Sequence, residues 1–178
     1  MQSETQITAL SPVSGLLFDP LPPETRERLI RFPLGHQNSV LLPLKQLTEI
    51  LSVEPTEILS IPEMPDCVIG ICTWRTEMLW LIDLDRFIDD SSRLQPALTR
   101  LTILVIQHNQ HTLGLAVSQV NDIELHDLQR LQRPPIGLFS PGVLSLVQGV
   151  LPDSSDAVLD LTPLMDCPLW KKHPKREA

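Results

Sequence analysis

The sequence predicts a mainly β protein, built from two pseudo-symmetric subdomains that share a hydrophobic core, with only a few short helices. Apolar residues come in short runs that are bounded by Pro, Gly, Asn or Asp, which is typical of strands. Hydrophobic residues make up 42% of the 178-residue chain and aromatic residues only 4%, so we expect a core of Leu, Ile and Val. The third observation is that the order of these runs is repeated along the chain.

The repeat is visible in two places. LPLKQLTEI at 42–50 resembles LAVSQVNDI at 115–123, with Leu, Gln and Ile shared in register at an offset of 73 residues, from Leu42 to Leu115. Each half then carries a Gly followed by an Asp-Leu pair: Gly70 with Asp83-Leu84, and Gly149 with Asp160-Leu161. A duplicated set of short strands predicts two β-subdomains whose apolar sides face each other.

Seven apolar runs are predicted as strands: 40–44, 68–74, 78–84, 101–107, 112–117, 143–151 and 157–161. Two pairs of them read as hairpins, with turns at Thr76-Glu77 and at 108–111. Helical signals are weak and are confined to short pieces around 44–51, 84–88 and 163–165.

The two ends of the chain differ in composition from its middle. Residues 1–27 carry Pro12, Pro20, Pro22 and Pro23 among small polar residues, which predicts a partly disordered arm because proline cannot continue a regular helix or a central strand. The basic segment at 167–178 is predicted to be a C-terminal tail.

Charge and cysteine usage exclude several classes of partner. The net charge of −8 disfavours nucleic-acid binding, which needs clustered Lys and Arg. No apolar run approaches the roughly 20 residues of a membrane-spanning helix, so we expect no direct membrane insertion. Cys67, Cys72 and Cys167 lack the paired spacing of a zinc site and are predicted to be reduced, partly buried thiols of a cytoplasmic protein.

Catalytic and metal-binding patterns are weak. His108 and His111 have H-x-x-H spacing, but they straddle a hairpin tip with no third ligand nearby. The paired carboxylates, Asp83 with Asp85 and Asp153 with Asp156, are better explained by strand ends and turns. No phosphate-binding glycine loop and no nucleophile elbow occurs. We therefore expect no catalysis, no cofactor and no metal.

One stretch combines several specific features in a fixed order. Pro65 is followed by VIGI at 68–71, TWRT at 73–76 and LIDL at 81–84. This order resembles the signature of the CheW-like domain: a Pro, a Gly-containing strand, an N-L-R-G turn, and a strand that ends in I-D-L. The resemblance extends over roughly 28–165, and we assign a CheW-like domain to 28–166.

The resemblance implies a fold and a function. The fold would be two five-stranded β-barrel-like subdomains, roughly 28–88 and 98–166, that are intertwined and share a hydrophobic core. The function would be that of a non-catalytic adaptor. One face would bind the cytoplasmic tip of a chemoreceptor, and another would bind the regulatory domain of a chemotaxis-type histidine kinase. A groove between the subdomains, lined by Leu and Ile, would accept an amphipathic receptor helix.

The resemblance also implies an interaction site. Arg75 matches the family's Arg beside the receptor-contact groove, and Leu47 and Glu49 match positions on the neighbouring strand or turn. Arg suits this role because its rigid fork of donors can meet a carboxylate and its planar face can pack on a helix. Trp74 and Trp80 are either interface anchors or core residues, and we expect them to be diagonal neighbours across their hairpin. Arg75 is expected on the opposite strand face from Trp74.

The sequence departs from the family pattern in three places. Thr73 and Thr76 replace the Asn and Gly of N-L-R-G, Trp80 replaces a Pro, and Pro33 interrupts a first strand near 29–34. Without its Gly the turn cannot depend on an easily reached positive φ, so its shape is expected to differ. The altered turn motivates an alternative, a CheW-like decoy or oligomerisation module that binds the kinase without a receptor.

Overall fold

The chain folds into two five-stranded sheets in a computed structural model that describes residues 24–35, 38–88 and 100–168. The predicted arm as far as residue 23 and the tail from residue 169 lie outside the described residues. The first half forms β1 (Arg26–Leu34), β2 (Asn38–Pro43), β3 (Leu47–Val53), β4 (Val68–Trp74), β5 (Glu77–Asp83) and α1 (Leu84–Ile88). The second half forms β6 (Leu101–His108), β7 (His111–Val117), β8 (Ile123–Asp127), α2 (Pro141–Leu144), β9 (Val147–Val150), β10 (Ala157–Leu159) and α3 (Thr162–Met165). Three 3₁₀ turns lie at Leu44–Gln46, Pro55–Glu57 and Leu128–Arg130.

The strand order explains the sequence repeat. Sheet A has the order β8-β1-β2-β10-β9, and sheet B has the order β3-β6-β7-β5-β4. Each sheet contains two antiparallel hairpins, and one strand of the first hairpin pairs in parallel with one strand of the second. A fifth strand pairs with the other strand of the first hairpin and forms one edge of the sheet. Each half of the sequence therefore gives its first hairpin to one sheet and its last three strands to the other.

The register shows the same relationship residue by residue. In sheet A, Val40 of β2 lies opposite Ala157 of β10, and in sheet B, Leu113 of β7 lies opposite Trp80 of β5. Leu113 follows Val40 by 73 residues and Ala157 follows Trp80 by 77, which are the offsets of the sequence repeat. The predicted mainly β fold with two pseudo-symmetric five-stranded units is confirmed. The division of the chain into subdomains at 28–88 and 98–166 stays a prediction.

In each sheet, the segment that follows one edge strand forms a bridge to the opposite edge strand. The segment after β3 forms a bridge from Leu59 to Ile71 of β4, with backbone N···O distances of 2.8 and 2.9 Å. After β8, Gln132 forms the matching bridge to Val150 of β9. A glycine precedes each bridged residue of the edge strand. A Cβ on Gly70 would lie 2.4 Å from the Leu59 carbonyl oxygen, so this approach requires glycine.

The core lies between the sheets, as predicted. Its fully buried side chains come from both sheets, and they include Phe32, Leu42, Leu104, Leu115 and Leu159. The concave face of sheet B holds a second apolar cluster: Val53, Cys72, Leu79, Leu81, Ile103, Val105 and Ala116. Burial of these aliphatic side chains is the main favourable contribution to folding, at roughly 25 cal/mol per Å² of apolar surface.

Several predicted elements are confirmed and others are wrong. The runs at 68–74 and 84–88 form β4 and α1 with the predicted bounds. The stretch 47–51, predicted as helix, is strand β3, in which half-buried and exposed residues alternate. The hairpin of β4 and β5 turns at Arg75-Thr76, one residue earlier than predicted. Residues 141–144 form α2 because Ser140 caps its first turn and Pro141 starts it, so the predicted strand at 143–151 begins only at Val147.

Pro33 does not interrupt β1. It lies opposite Ser39 of β2, and the pairing continues to Leu34. The backbone N–H of Arg31 points to the β8 side, where it donates to the Asp122 carbonyl at 2.8 Å. The nitrogen of Pro33 points to the same side, and the pairing with β8 has already ended at Ile30. The missing N–H of proline is therefore not needed there.

Candidate protein-interaction site

Three of the predicted site residues meet at one end of sheet B. Glu49 lies on β3, Trp74 is the last residue of β4, and Arg75 opens the β4–β5 turn. A single carboxylate oxygen of Glu49, Oε2, accepts hydrogen bonds from Trp74 Nε1 at 3.0 Å and from Arg75 Nη2 at 2.9 Å. The guanidinium carbon of Arg75 lies 4.8 Å from the centroid of the Trp74 ring, within cation–π distance. We refer to these three residues as the Arg75 cluster.

The two edge strands of sheet B position this cluster. Along β3 the side chains of Glu49, Leu51 and Val53 alternate with exposed neighbours and point toward the concave face. On β4, Cys72 and Trp74 line the same concavity. The Arg75 cluster therefore spans the gap between the edge strands, above an apolar interior to which Trp74 and Leu51 also contribute.

The turn that carries Arg75 has an uncommon backbone. Arg75 has φ +45° and Thr76 has φ +68°, which is the pattern of a two-residue type I′ hairpin turn. Gly, Asn and Asp usually fill such turns because other residues strain at positive φ. The turn therefore has positive φ at both central residues although Thr76 replaces the Gly of the family pattern, which we did not expect. The Thr76 hydroxyl donates to the Arg75 carbonyl oxygen, a local bond that helps to hold the turn.

The other two predicted residues lie elsewhere. Trp80 of β5 is paired with Ile71 of β4, whereas Trp74 of β4 is paired with Glu77 of β5. The side chains of the two tryptophans therefore point to different faces of sheet B. Trp80 and Leu47 are half-buried and pack against the core between the sheets. The expectation that the tryptophans are diagonal neighbours is wrong, because directly paired residues share a face and Trp80 lies three positions along β5 from Glu77, the partner of Trp74. The expected separation of Arg75 from Trp74 is also wrong, since the turn returns the guanidinium over the ring.

The cleft between the sheets is more polar than predicted. Lys45, Gln46, Gln107, Gln148 and Thr162 line it, together with a few apolar side chains that include Ile106 and Met165. The side chain of Gln46 accepts a hydrogen bond from the backbone of Leu161 at 3.1 Å and so connects the two sheets. In the part of the chain that the structure describes, this cleft is therefore not the Leu- and Ile-lined groove that we expected.

Sheet A contains a charged network that sequence reasoning missed. Arg31 contacts both carboxylate oxygens of Glu124, at 2.5 and 3.0 Å, and Asp156 at 2.9 Å. His126 Nε2 lies 2.7 Å from Glu124 Oε2. The Arg31 guanidinium, with a smaller contribution from His126, lowers the pKa of Glu124 to about 2.

A comparison of the repeats could have found this network. The strand register and the repeat offsets place Arg31, Glu124 and Asp156 at positions equivalent to Val105, Leu51 and Leu79 of sheet B. The signal is therefore charge in one repeat where the other repeat has apolar side chains.

The carboxylates of Asp83 and Asp85 both accept hydrogen bonds from the backbone. Asp83 is 4% exposed, and burial raises its pKa, while its Oδ1 accepts the Arg86 N–H at 3.1 Å and so caps α1. Asp85 Oδ1 accepts the Gly35 N–H at 2.6 Å. Within 24–35, 38–88 and 100–168, no three His, Cys, Asp or Glu side chains form a metal-binding group.

Comparison with known proteins places the fold. The model of the CheW-like domain family matches residues 28–166. The chain belongs to the CheW-like domain family. A crystal structure of the scaffolding protein TtCheW from Thermoanaerobacter tengcongensis is similar to it, with a TM-score of 0.63 and 20% identity over 80% of this chain and 94% of that one. The search of curated proteins found no significant match.

Membership of the CheW-like domain family confirms several predictions. Domains of this family are non-catalytic scaffolding modules in chemotaxis signalling, so the prediction that the chain is not an enzyme is confirmed. The predicted resemblance and the β-rich fold are confirmed by the same matches. None of the helices in the described ranges is long and apolar enough to cross a membrane.

Proposed function

We propose that this protein is a cytoplasmic adaptor that couples a methyl-accepting chemoreceptor to a chemotaxis-type histidine kinase. It would act in a two-component pathway for chemotaxis, phototaxis or pilus motility, and no bond would be made or broken. The observation that carries the proposal is the Arg75 cluster. Glu49 and Arg75, which the resemblance assigns to receptor contact, come together from positions 26 residues apart.

The Arg75 cluster has the physical character of an interface anchor. Arg and Trp are over-represented among the residues that dominate binding energy. The side chain of Arg75 is 63% exposed, while its orientation is held by Glu49 and by the Trp74 ring. A helix of the receptor tip would bury this surface and retain the charged rim.

An adaptor needs a second surface, and an apolar loop offers one. The loop between β8 and β9 exposes Ile136 fully, and Leu138 and Leu144 are also exposed. Its ends are fixed by the Gln132–Val150 bridge and by Gly142, where a Cβ would lie 2.0 Å from the Ile88 carbonyl oxygen. A fixed, exposed apolar loop is typical of a protein contact, and we assign it to the kinase regulatory domain.

A pull-down from native lysate tests this function. The tagged wild type should recover a methyl-accepting receptor and a histidine kinase, identified by mass spectrometry, and Arg75→Glu should lose the receptor. Arg100→Glu is the matched control, because Arg100 is equally exposed, at 65%, and pairs with Glu54 of the segment after β3 at 2.7 Å. Recovery of the kinase alone by the wild type would favour the decoy or oligomerisation module, and recovery of neither partner would contradict both functions.

A further inference from the structure

Two arginines of this chain are held by carboxylates in different ways. Arg31 bonds two of them, Glu124 through Nε and Nη2 and Asp156 through Nη1. Arg75 bonds Glu49 through Nη2, and among the described residues Glu49 is its one carboxylate partner. The side chain of Arg31 is 20% exposed and that of Arg75 is 63% exposed. Arg75 therefore presents to solvent the donors that Arg31 uses to hold a second carboxylate.

We propose that Arg75 binds an Asp or Glu side chain of the docking partner, so that the finished interface reproduces the two-carboxylate arrangement of Arg31. The planar guanidinium has five N–H donors and can hold two carboxylates at once. The identity of the partner, a chemoreceptor tip, rests on the proposed function, whereas the chemistry that is recognised rests on Arg75 itself.

Trp74 and Glu49 act as positioning residues for this contact. Glu49 Oε2 joins the indole N–H and the guanidinium, and the Trp74 ring supports the guanidinium at 4.8 Å. The turn fixes the main chain of Arg75 at φ +45°. A long side chain that is already oriented loses less conformational entropy on binding, which strengthens the contact without any new interaction.

The charge of the whole chain makes this contact selective. With a net charge of −8, most of the surface repels an acidic partner. A carboxylate of the partner is therefore attracted to exposed guanidinium groups, and Arg75 differs from the equally exposed Arg100 because the Trp74 ring orients it, so Arg75 would set the orientation of docking.

The first test needs no partner and uses the full-length, ¹⁵N-labelled protein. Propionate is titrated at constant ionic strength, and the Nε–H signals of Arg75 and Arg100 are followed by NMR. Arg100 also pairs with a Glu, but its guanidinium lies over no aromatic ring of the described residues. We expect the Arg75 signal to shift saturably, with an apparent affinity about threefold or more above that of Arg100, and Trp74→Leu to remove the difference. Equal shifts at both arginines, or an unchanged response in Trp74→Leu, would overturn the proposal.

The second test is a double-mutant cycle with a chemoreceptor cytoplasmic fragment. Arg75→Glu should weaken binding about 30-fold or more, and replacing one acidic residue of the fragment by Arg should restore much of the loss. Trp74→Phe, which keeps the ring and loses the indole N–H, should weaken binding by only about threefold. If the fragment binds but none of its acidic residues couples to Arg75, the carboxylate contact is wrong and the adaptor function stands. A fragment that fails to bind the wild type contradicts the adaptor function, and the propionate titration then decides the carboxylate contact alone.

Discussion

Glu49 and Arg75 form a salt bridge of 2.9 Å between the two edge strands of sheet B, which no main-chain ladder joins at that end. The bridge connects β3 to the β4–β5 turn, and the same Glu49 oxygen holds the Trp74 indole. At this end of sheet B, side-chain contacts therefore take the place of main-chain hydrogen bonds between the edge strands. The consequence is that the geometry of the proposed interaction site depends on one carboxylate.

Replacing Glu49 by Ala should alter the site more than the fold. The salt bridge is exposed and contributes little to the free energy of unfolding, so we expect a loss of about 1 kcal/mol in urea denaturation. The tryptophan emission spectrum of the protein should change because the indole N–H of Trp74 loses its acceptor. Glu54→Ala removes the comparable partner of Arg100 and should leave the spectrum unaltered. A Glu49→Ala spectrum identical to the wild type would contradict the geometry of the cluster.

Replacing Glu124 by Gln should make stability depend less on acid pH. The pKa of Glu124 is about 2 in the folded chain, below its ordinary value of 4.5, so its contribution to stability is present above pH 4.5 and is lost as the pH falls toward 2. We expect Glu124→Gln to lose about 1–3 kcal/mol at pH 7 and almost nothing at pH 2. Denaturation curves across this range measure the difference. A constant difference at all pH values would show that packing, and not charge, accounts for the loss.

Replacing Asp83 by Asn should raise the free energy of unfolding at neutral pH, whereas replacing Glu124 by Gln should lower it. Burial raises the folded pKa of Asp83 above its ordinary value of 3.8, so the wild type loses stability as the pH rises from 3.8 through the folded pKa. Asn keeps an oxygen acceptor for the Arg86 N–H. We therefore expect Asp83→Asn to be more stable than the wild type by about 1 kcal/mol at pH 7 and equal to it below pH 3.8. Asp83→Ala lacks the acceptor and should be destabilised at both pH values.

Gly70→Ala should be far more damaging than Gly35→Ala. The new Cβ at position 70 would lie 2.4 Å from the Leu59 carbonyl oxygen, at φ +149°, whereas nothing lies within 4 Å of a Cβ at Gly35, at φ +66°. We expect a loss of about 3 kcal/mol or more for Gly70→Ala and about 1 kcal/mol for Gly35→Ala. Thermal unfolding measures both. Similar losses for the two variants would mean that backbone strain, and not the closure of sheet B, governs the effect.

The sequence could predict the strands whose residues are almost all apolar, but not β3 and β8, in which charged residues stand between the apolar ones. The runs of β4 and β6 are almost continuously apolar, so their bounds were easily read. β3 and β8 place exposed Ile50, Ile123 and Leu125 beside charged residues, which hides the period-two alternation that marks a half-buried strand.

The interaction site was only partly predictable for a related reason. Glu49 and Arg75 were assigned from the resemblance, but the contact of Trp74 with Glu49 joins positions 25 residues apart on the two edge strands, which are not neighbours in the sheet. The Arg31 network joins residues 93 positions apart in sequence, and no local pattern marks such a pair.

The exchange of strands between the repeats has a consequence for synthesis on the ribosome. Sheet B uses only β3 to β7, one continuous stretch that ends at Val117, so all its hydrogen-bonding partners exist once that residue has emerged. Sheet A must wait, because β10 separates β2 from β9 and is translated last. The Arg75 cluster can thus assemble while the β1–β2 hairpin still exposes the edge reserved for β10. For that interval the nascent chain carries a finished interaction site beside an unpaired strand, the condition in which a chaperone, or a second nascent copy, competes with native folding.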